Sequence, residues 1–169
     1  MSAVVNARTP QEERVWKLLE SVLDPEIPVL SIVDLGIVRH VTVGAAGVDV
    51  GLTSTYSGCP ATDVIRRLVN EALATDGVEA RVRMILNPPW TTEWISAEGR
   101  RKLAEYGIAP PRVLDGTRLD AMSANEQPVD CPRCGSAHTE RLSEFGSTPC
   151  KSLYRCEDCR EPFERFKCL

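Results

Sequence analysis

Apolar and polar positions recur along this chain with two periods, and the changeovers between them mark its elements. Val15, Leu18, Leu19, Val22 and Leu23 follow a helical spacing behind Thr9-Pro10-Gln11-Glu12. That tetrapeptide reads as a capping box, with Thr9 as N-cap, Pro10 at the first helical position and Glu12 closing the box. A first helix is therefore predicted from about residue 10 to residue 23. Asp24-Pro25-Glu26-Ile27-Pro28 stops it, because two prolines cannot continue the ladder. The two carboxylates of that stiff turn read, on their own, as solvated acids at a helix stop.

Val41 and Val43 sit in an alternating run beginning at Ile37, and Val48, Val50 and Leu52 resume it after Gly44-Ala45-Ala46-Gly47. This pattern predicts a hairpin with a four-residue loop. Val64, Ile65, Leu68, Val69, Ala72 and Leu73 predict an amphipathic helix ended by Asp76-Gly77. Val78, Ala80, Val82 and Met84 alternate with Glu79, Arg81 and Arg83, giving a third strand with one wet face. Asn87-Pro88-Pro89-Trp90 breaks it. Thr91 or Thr92 then caps a last helix containing Trp94, Ile95, Leu103 and Tyr106, weakened by Gly99. The order predicts an α+β layer domain over residues 9–108, with helices packed on a mainly three-stranded sheet. The open edge of so small a sheet leaves room for a homodimer.

Residues 109–128 lose periodicity and are rich in Pro, Asp, Ser and Asn, which reads as a linker. Residues 129–169 differ in character. Cys131 and Cys134 form one C-x2-C pair, Cys156 and Cys159 another, and 21 residues separate them. Each pair can wrap a turn around one ion, and four thiolates complete a closed tetrahedral shell for zinc. Short strands are predicted around residues 139–142, 152–155 and 162–166, which makes the piece a zinc ribbon. So small a module with few large apolar side chains needs such a staple. A closed shell of this kind is structural; an iron–sulfur cluster on the same thiolates is the lesser alternative. Cys150 and Cys168 are left over, and a core role is favoured for both over alternative ligands or a second soft-metal pair.

Composition narrows the classes. With 169 residues, 43% of them hydrophobic, the chain can bury a core. No run approaches the roughly 20 apolar residues that cross a bilayer, and residues 1–8 lack the pattern of a signal peptide. Seven cysteines without such a signal point to a reducing cytoplasm, with metal or reactive thiols instead of disulfides. The net charge of −4 disfavours nucleic acid and anionic membranes. Within 129–169 seven Lys/Arg meet seven Asp/Glu, so the thiolates leave the ribbon mildly acidic. Protein docking suits it better than phosphate binding.

Thr53-Ser54-Thr55-Tyr56-Ser57-Gly58-Cys59-Pro60 forms a tight strand-to-helix turn. Pro60 suits the first helical position, which places Cys59 at or beside the N-cap, among free N–H groups and the positive end of the helix dipole. A thiol there is expected to ionise readily and to act as a nucleophile or soft-metal ligand. A buried cysteine acting as a small hydrophobe remains the alternative. His40 and His138 are the two histidines, and neither is an obvious base for thiol catalysis.

Asp24-Pro25-Glu26-Ile27-Pro28, residues 31–38 and Tyr56-Ser57-Gly58-Cys59-Pro60 resemble the SufT-like domain of iron–sulfur assembly factors. Trp90-Thr91-Thr92-Glu93-Trp94-Ile95-Ser96, Tyr106-Gly107-Ile108-Ala109-Pro110-Pro111 and Phe145-Gly146-Ser147-Thr148-Pro149-Cys150-Lys151, beside the ribbon, resemble the PaaD-type accessory subunits of phenylacetyl-CoA epoxidase. The resemblance implies a cytoplasmic, non-catalytic component of phenylacetate catabolism. Its implied partners are the catalytic and structural subunits of the epoxidase and a flavin/iron–sulfur reductase. It would assist assembly of iron or iron–sulfur centres in them, with one structural zinc and a transient iron or cluster cargo. The alternative is a structural adaptor bridging epoxidase subunits through the ribbon. On this resemblance Cys59 carries the cargo, Asp24, Glu26 and Asp34 supply or orient hard ligands, and Thr92 lines the same edge beside Trp90 and Trp94. No catalytic residues are expected: Glu-x-x-His pairs for a di-iron site and a Gly-rich dinucleotide loop are both missing.

Overall fold

The computed structural model describes residues 8–56, 58–112 and 127–168. Helix α1, Pro10–Glu20, opens on the expected capping box: Glu12 N–H donates to Thr9 Oγ1 (3.2 Å), and Thr9 N–H to Glu12 Oε2 (2.8 Å). It ends before Val22 and Leu23 because Ser21 caps it, its hydroxyl donating to the Leu18 carbonyl at 2.6 Å. The chain then folds into a compact irregular segment whose Val22, Ile27, Leu30, Ile32, Leu35 and Ile37 are all buried.

Strands β1, Val38–Gly44, and β2, Gly47–Leu52, form the predicted hairpin. Gly44 faces Gly47, so the connection is the two residues Ala45-Ala46 and not four, with Gly47 at φ +105°. Helix α2, Ala61–Thr75, buries Ala61, Ile65, Val69 and Leu73, and carries the chain back so that β3, Ala80–Met84, pairs parallel to β2. Parallel neighbours need such a crossover. The sheet order is β1-β2-β3.

The predicted last helix divides in two. Thr92–Trp94 make a 3-10 turn, and α3 begins later, at Ala97–Tyr106. Ser96, not Thr91 or Thr92, caps α3, accepting from Gly99 N–H at 2.9 Å, because Ile95 takes an extended conformation. Gly99 has a packing reason to be there: a Cβ would sit 2.9 Å from the Asp34 carbonyl oxygen. At Gly36, φ is +66° and a Cβ would meet the Trp94 carbonyl oxygen at 2.5 Å. The two glycines let the head of α3 close on residues 31–36.

Strands β4, Ile108–Ala109, β5, Thr139–Ser143, β6, Lys151–Cys156, and β7, Pro162–Phe166, form a second sheet in the order β4-β7-β6-β5. The ribbon strands are antiparallel, but β4 comes from the end of α3 and pairs parallel to β7. Ala109, read as the first linker residue, is thus a strand residue; positions 113–126 of that stretch lie outside the described residues. Ribbon residues Cys150 and Phe166 join the core of the first module, and the Phe166 ring lies 6.1 Å from that of Trp90. Trp90 Nε1–H donates to the Leu35 carbonyl at 2.8 Å, and the Arg100 guanidinium bridges the Thr92 and Pro111 carbonyls. The two modules share a core. No described helix is long and apolar enough to cross a membrane.

Candidate functional site

Two chemically distinct thiol sites emerge. The first is the ribbon knuckle pair. Gly135 N–H donates to the Cys131 carbonyl (2.8 Å) and Cys131 N–H to the Ser136 carbonyl (2.8 Å), which closes the first turn. Cys156 N–H to the Glu161 carbonyl (3.0 Å) closes the second. The residue after each pair is left-handed, Gly135 at φ +75° and Arg160 at φ +66°. These turns bring the ligand atoms of Cys131, Cys134, Cys156 and Cys159 within 4.8 Å of one another. Cys131 Sγ lies 3.7 Å from Cys159 Sγ, and Cys134 Sγ 3.6 Å from Cys156 Sγ. A tetrahedron with Zn–S of about 2.3 Å has S···S edges of about 3.8 Å. The sulfurs are therefore spaced for one ion, whereas a cluster giving each cysteine its own iron would hold them farther apart.

The charge balance agrees with a cation between them. Backbone N–H groups of Cys159 and Asp158 bring the Cys156 thiol down to about 7. At Cys134 the Ser136 N–H favours ionisation, yet the Cys156 sulfur, burial and the other two sulfurs push the thiol up to about 12. Four such thiols cannot all ionise together unless a cation joins them, so the donor set fits a thiophilic divalent ion. Ser136 Oγ donates to Asp158 Oδ2 and ties the two turns together.

The second site lies at the head of α2. Cys59 is half-buried directly before Pro60, and Pro60 is the N-cap itself, without a side-chain capping bond, while the helix starts at Ala61. The Tyr56 carbonyl accepts from Gly58 N–H (3.0 Å) and Cys59 N–H (3.3 Å), with Gly58 at φ +152°. Ser57, within this turn, lies outside the described residues. Cys59 lines an open concavity of about 290 Å³ with Asp24, Thr62, Met84 and an apolar floor of Ile37, Leu52 and Ile65. Asp24 reaches it because its own turn is rigid: Oδ1 accepts from Glu26 N–H (2.9 Å) and Ile27 N–H (2.8 Å). Soft sulfur and hard carboxylate thus face one cavity.

The other expected residues fall elsewhere or beside it. Glu26 stands next to this site, near enough to influence the Tyr56 phenol and the Cys150 thiol. Asp34 clips α3: its carboxylate accepts from Lys102 Nζ (2.7 Å), Ser31 N–H (3.1 Å) and Ser96 Oγ (3.3 Å). Burial opposes its ionisation, but Lys102 and Ser31 outweigh burial and hold the carboxyl below its usual range. Thr92 is buried in the 3-10 turn, with its carbonyl taken by Arg100. Neither Asp34 nor Thr92 lines the concavity. Cys150 is buried 3.1 Å from Thr148 Oγ1, and Cys168 is buried with Arg165 Nη2–H directed at its sulfur at 3.8 Å. His40 Nε2 is engaged by Asp49 (2.7 Å) and His138 Nδ1 lies 3.4 Å from Asp158, so each histidine is paired with a carboxylate and not with the Cys59 thiol. Sequence reasoning missed Met84 and Thr62. Their alternation and helical spacing announce burial, not which cavity they line.

Known proteins place this geometry. Residues 12–83 match the family described as Iron-sulfur cluster assembly protein, and residues 116–167 match the PaaD zinc beta ribbon domain. Over 170 aligned residues, all of both chains, the sequence is 48% identical to a subunit of the "Putative 1,2-phenylacetyl-CoA epoxidase" of Escherichia coli (strain K12). The chain belongs to the PaaD family. The first module of this PaaD-family chain is shared more widely. It is 37% identical over 97 residues to the "Fe-S protein maturation auxiliary factor" of Porphyromonas gingivalis (strain ATCC BAA-308 / W83), covering 54% of this chain and 90% of that one. A crystal structure described as a domain of unknown function DUF59 from Bacillus anthracis superposes with a TM-score of 0.51 at 33% identity, over 54% of this chain and 90% of its own. PaaD-family architecture is thus an iron–sulfur assembly module extended by a four-cysteine ribbon.

Proposed function

We propose that this PaaD-family chain is an accessory factor of a phenylacetyl-CoA epoxidase that helps load iron or iron–sulfur centres into its partners. Those partners are the catalytic and structural subunits of the epoxidase and its flavin/iron–sulfur reductase. The observation that carries the reading is the open concavity that Cys59 and Asp24 both line. It lies in the module that matches the iron–sulfur assembly family. One thiol and one carboxylate on an open wall hold iron weakly, and weak holding suits delivery. As the metal–sulfur bond to cargo iron formed, the Cys59 thiol would give its proton to solvent, and on release of the iron the thiolate would take one back from solvent. The ribbon keeps a resident zinc and positions the module, taking no part in the chemistry.

The test is epoxidase reconstitution in cells carrying wild-type chain or Cys59→Ala. The variant is expected to fold, keep one zinc per chain and leave the partners short of iron and labile sulfide. Partners fully loaded beside Cys59→Ala would sink the proposal. If, in addition, loss of the ribbon cysteines alone abolished complex formation, the chain would be an adaptor. Leu142 and Phe145, 48% and 61% exposed on the ribbon, are the surface such an adaptor would use.

A further inference from the structure

We propose that the cargo of the Cys59 concavity is a single hydrated divalent iron ion, positioned on one wall by the Thr53 hydroxyl. This rests on the reading of Cys59 as the transfer thiol and chooses between the two cargo forms, a lone ion and a preformed cluster.

Two polar groups lining that concavity are buried yet keep unused hydrogen-bonding capacity. Thr53 is 3% exposed and directly follows β2; its N–H donates to the Ile37 carbonyl at 2.9 Å, which fixes its backbone. Its hydroxyl has no hydrogen-bond partner among the described residues. Asp24 is 7% exposed, and its Oδ1 accepts from the Glu26 and Ile27 N–H groups, whereas Oδ2 accepts from no described donor. Among the described residues Thr91 Oγ1 is the one side-chain nitrogen or oxygen sealed from solvent without a partner. The Thr53 hydroxyl and Asp24 Oδ2 therefore each keep an open side, and the concavity is the space that both residues line.

Buried polar groups are normally paired, and the exceptions point to a missing partner. A carboxylate oxygen accepts only, whereas a hydroxyl donates and accepts. A hydrated cation satisfies both: the ion takes Asp24 Oδ2, and one of its waters donates to Thr53 Oγ1. Water alone would serve the two oxygens, and the half-buried Cys59 thiol on the same cavity is what adds affinity for a metal. The donor set also decides the form of the cargo. A cluster takes a thiolate at each terminal position, and Cys59 is the sole described cysteine lining this concavity. The four ribbon sulfurs are gathered around their own centre, Cys150 lies beside Thr148, and Cys168 meets Arg165. One thiolate with carboxylate and hydroxyl oxygens is a mixed soft and hard set, which suits Fe²⁺ and leaves the other cluster positions unfilled. On binding, the Cys59 S–H bond gives way to an Fe–S bond, the proton goes to solvent, and the iron stays divalent.

The experiment dialyses the zinc-loaded full chain anaerobically against Fe²⁺ and counts iron; the ribbon keeps its zinc, which binds such ligands more tightly than Fe²⁺. Wild type is expected to hold one Fe²⁺ per chain. Thr53→Val keeps the branched shape without the hydroxyl and should weaken binding about 10–100-fold, and Thr53→Ser should restore it. Asp24→Asn, which keeps Oδ1 for its turn, and Cys59→Ser should each weaken it at least as much. Zinc content and Tm verify the fold of each variant, with Thr53→Ala in reserve. A Thr53→Val chain that binds iron like wild type overturns the role of Thr53. In a second arm, wild type is offered a glutathione-held 2Fe–2S cluster and desalted, and no labile sulfide should stay. Sulfide retained in step with iron, and lost in Cys59→Ser, overturns the lone ion while leaving Cys59 as the transfer residue. A wild type that takes up no Fe²⁺ overturns the proposal as well, and partner loading with Cys59→Ala then judges the transfer role separately.

Discussion

Phe166 is where the two modules meet, and truncating it measures how much each depends on the other. The side chain is 1% exposed at the end of β7, within the core of the first module and 6.1 Å from the Trp90 ring. Phe166→Ala removes a buried ring and leaves a cavity, which costs about 3–5 kcal/mol in a well-packed core. The lost aromatic pairing contributes about 0.5–1.5 kcal/mol within that range. Against a total stability of about 5–15 kcal/mol this is a large fraction. For a chain of this size each kcal/mol moves Tm by about 2–4 °C, so the expected fall is about 6–20 °C. Thermal unfolding at saturating zinc, followed by far-UV circular dichroism and tryptophan fluorescence, reads both modules at once. Wild type should unfold in one coincident transition, and the variant should lower both signals. If the variant shifted Tm by less than about 2 °C, or left the first module's transition unmoved, the shared core would be refuted.

Chelating the ribbon ion should likewise lower the stability of the first module, since Cys150 and Phe166 leave its core when the ribbon unfolds; an unchanged helical transition after zinc removal would count against this. Asp34→Asn should cost about 1–3 kcal/mol at neutral pH, because it breaks a part-buried charged hydrogen bond to Lys102. The Asp34 carboxyl titrates below its usual range, so this stabilisation is present above about pH 4 and fades as pH falls through the lowered value. A wild-type-minus-variant difference that stayed constant down to about pH 3 would contradict it. Arg160→Gly should stabilise the ribbon: the left-handed conformation at φ +66° costs a non-glycine residue about 1–2 kcal/mol, against about 0.5–1 kcal/mol of extra chain entropy for glycine. The urea midpoint at saturating zinc should rise at unchanged slope, and a fall would refute the strain argument.

What the sequence alone determined is local. The capping box of α1, the hairpin, the amphipathic period of α2, the alternation of β3 and the two C-x2-C turns each depend on residues within about one element. Those residues carry the information themselves, through dihedral preference, capping and the facing of apolar side chains. The ribbon centre was legible for the same reason, since each pair of ligands is held by its own turn and only the meeting of two turns is long-range. Element ends were read less well: Ser21 and Ser96 decided them by bonding to the backbone where periodicity alone would have continued or begun the helix.

Tertiary packing decided the rest. Asp34 and Glu26 look alike as acids in proline- and glycine-punctuated turns, but α3 arrives to claim Asp34 through Lys102, while Glu26 stays beside Tyr56 and Cys150. Which acid is consumed by packing thus depends on a helix residue that the chain reaches only 68 residues after Asp34. Ala109 looked like the start of a linker because a two-residue strand has no period; pairing of Ile108 and Ala109 with β7 makes them a strand. Cys150 and Cys168 were equivalent leftovers in sequence. Packing separates them: Cys150 is buried in the core of the first module beside Thr148, whereas Cys168 meets Arg165, because distance in the fold and not spacing along the chain sets which groups meet.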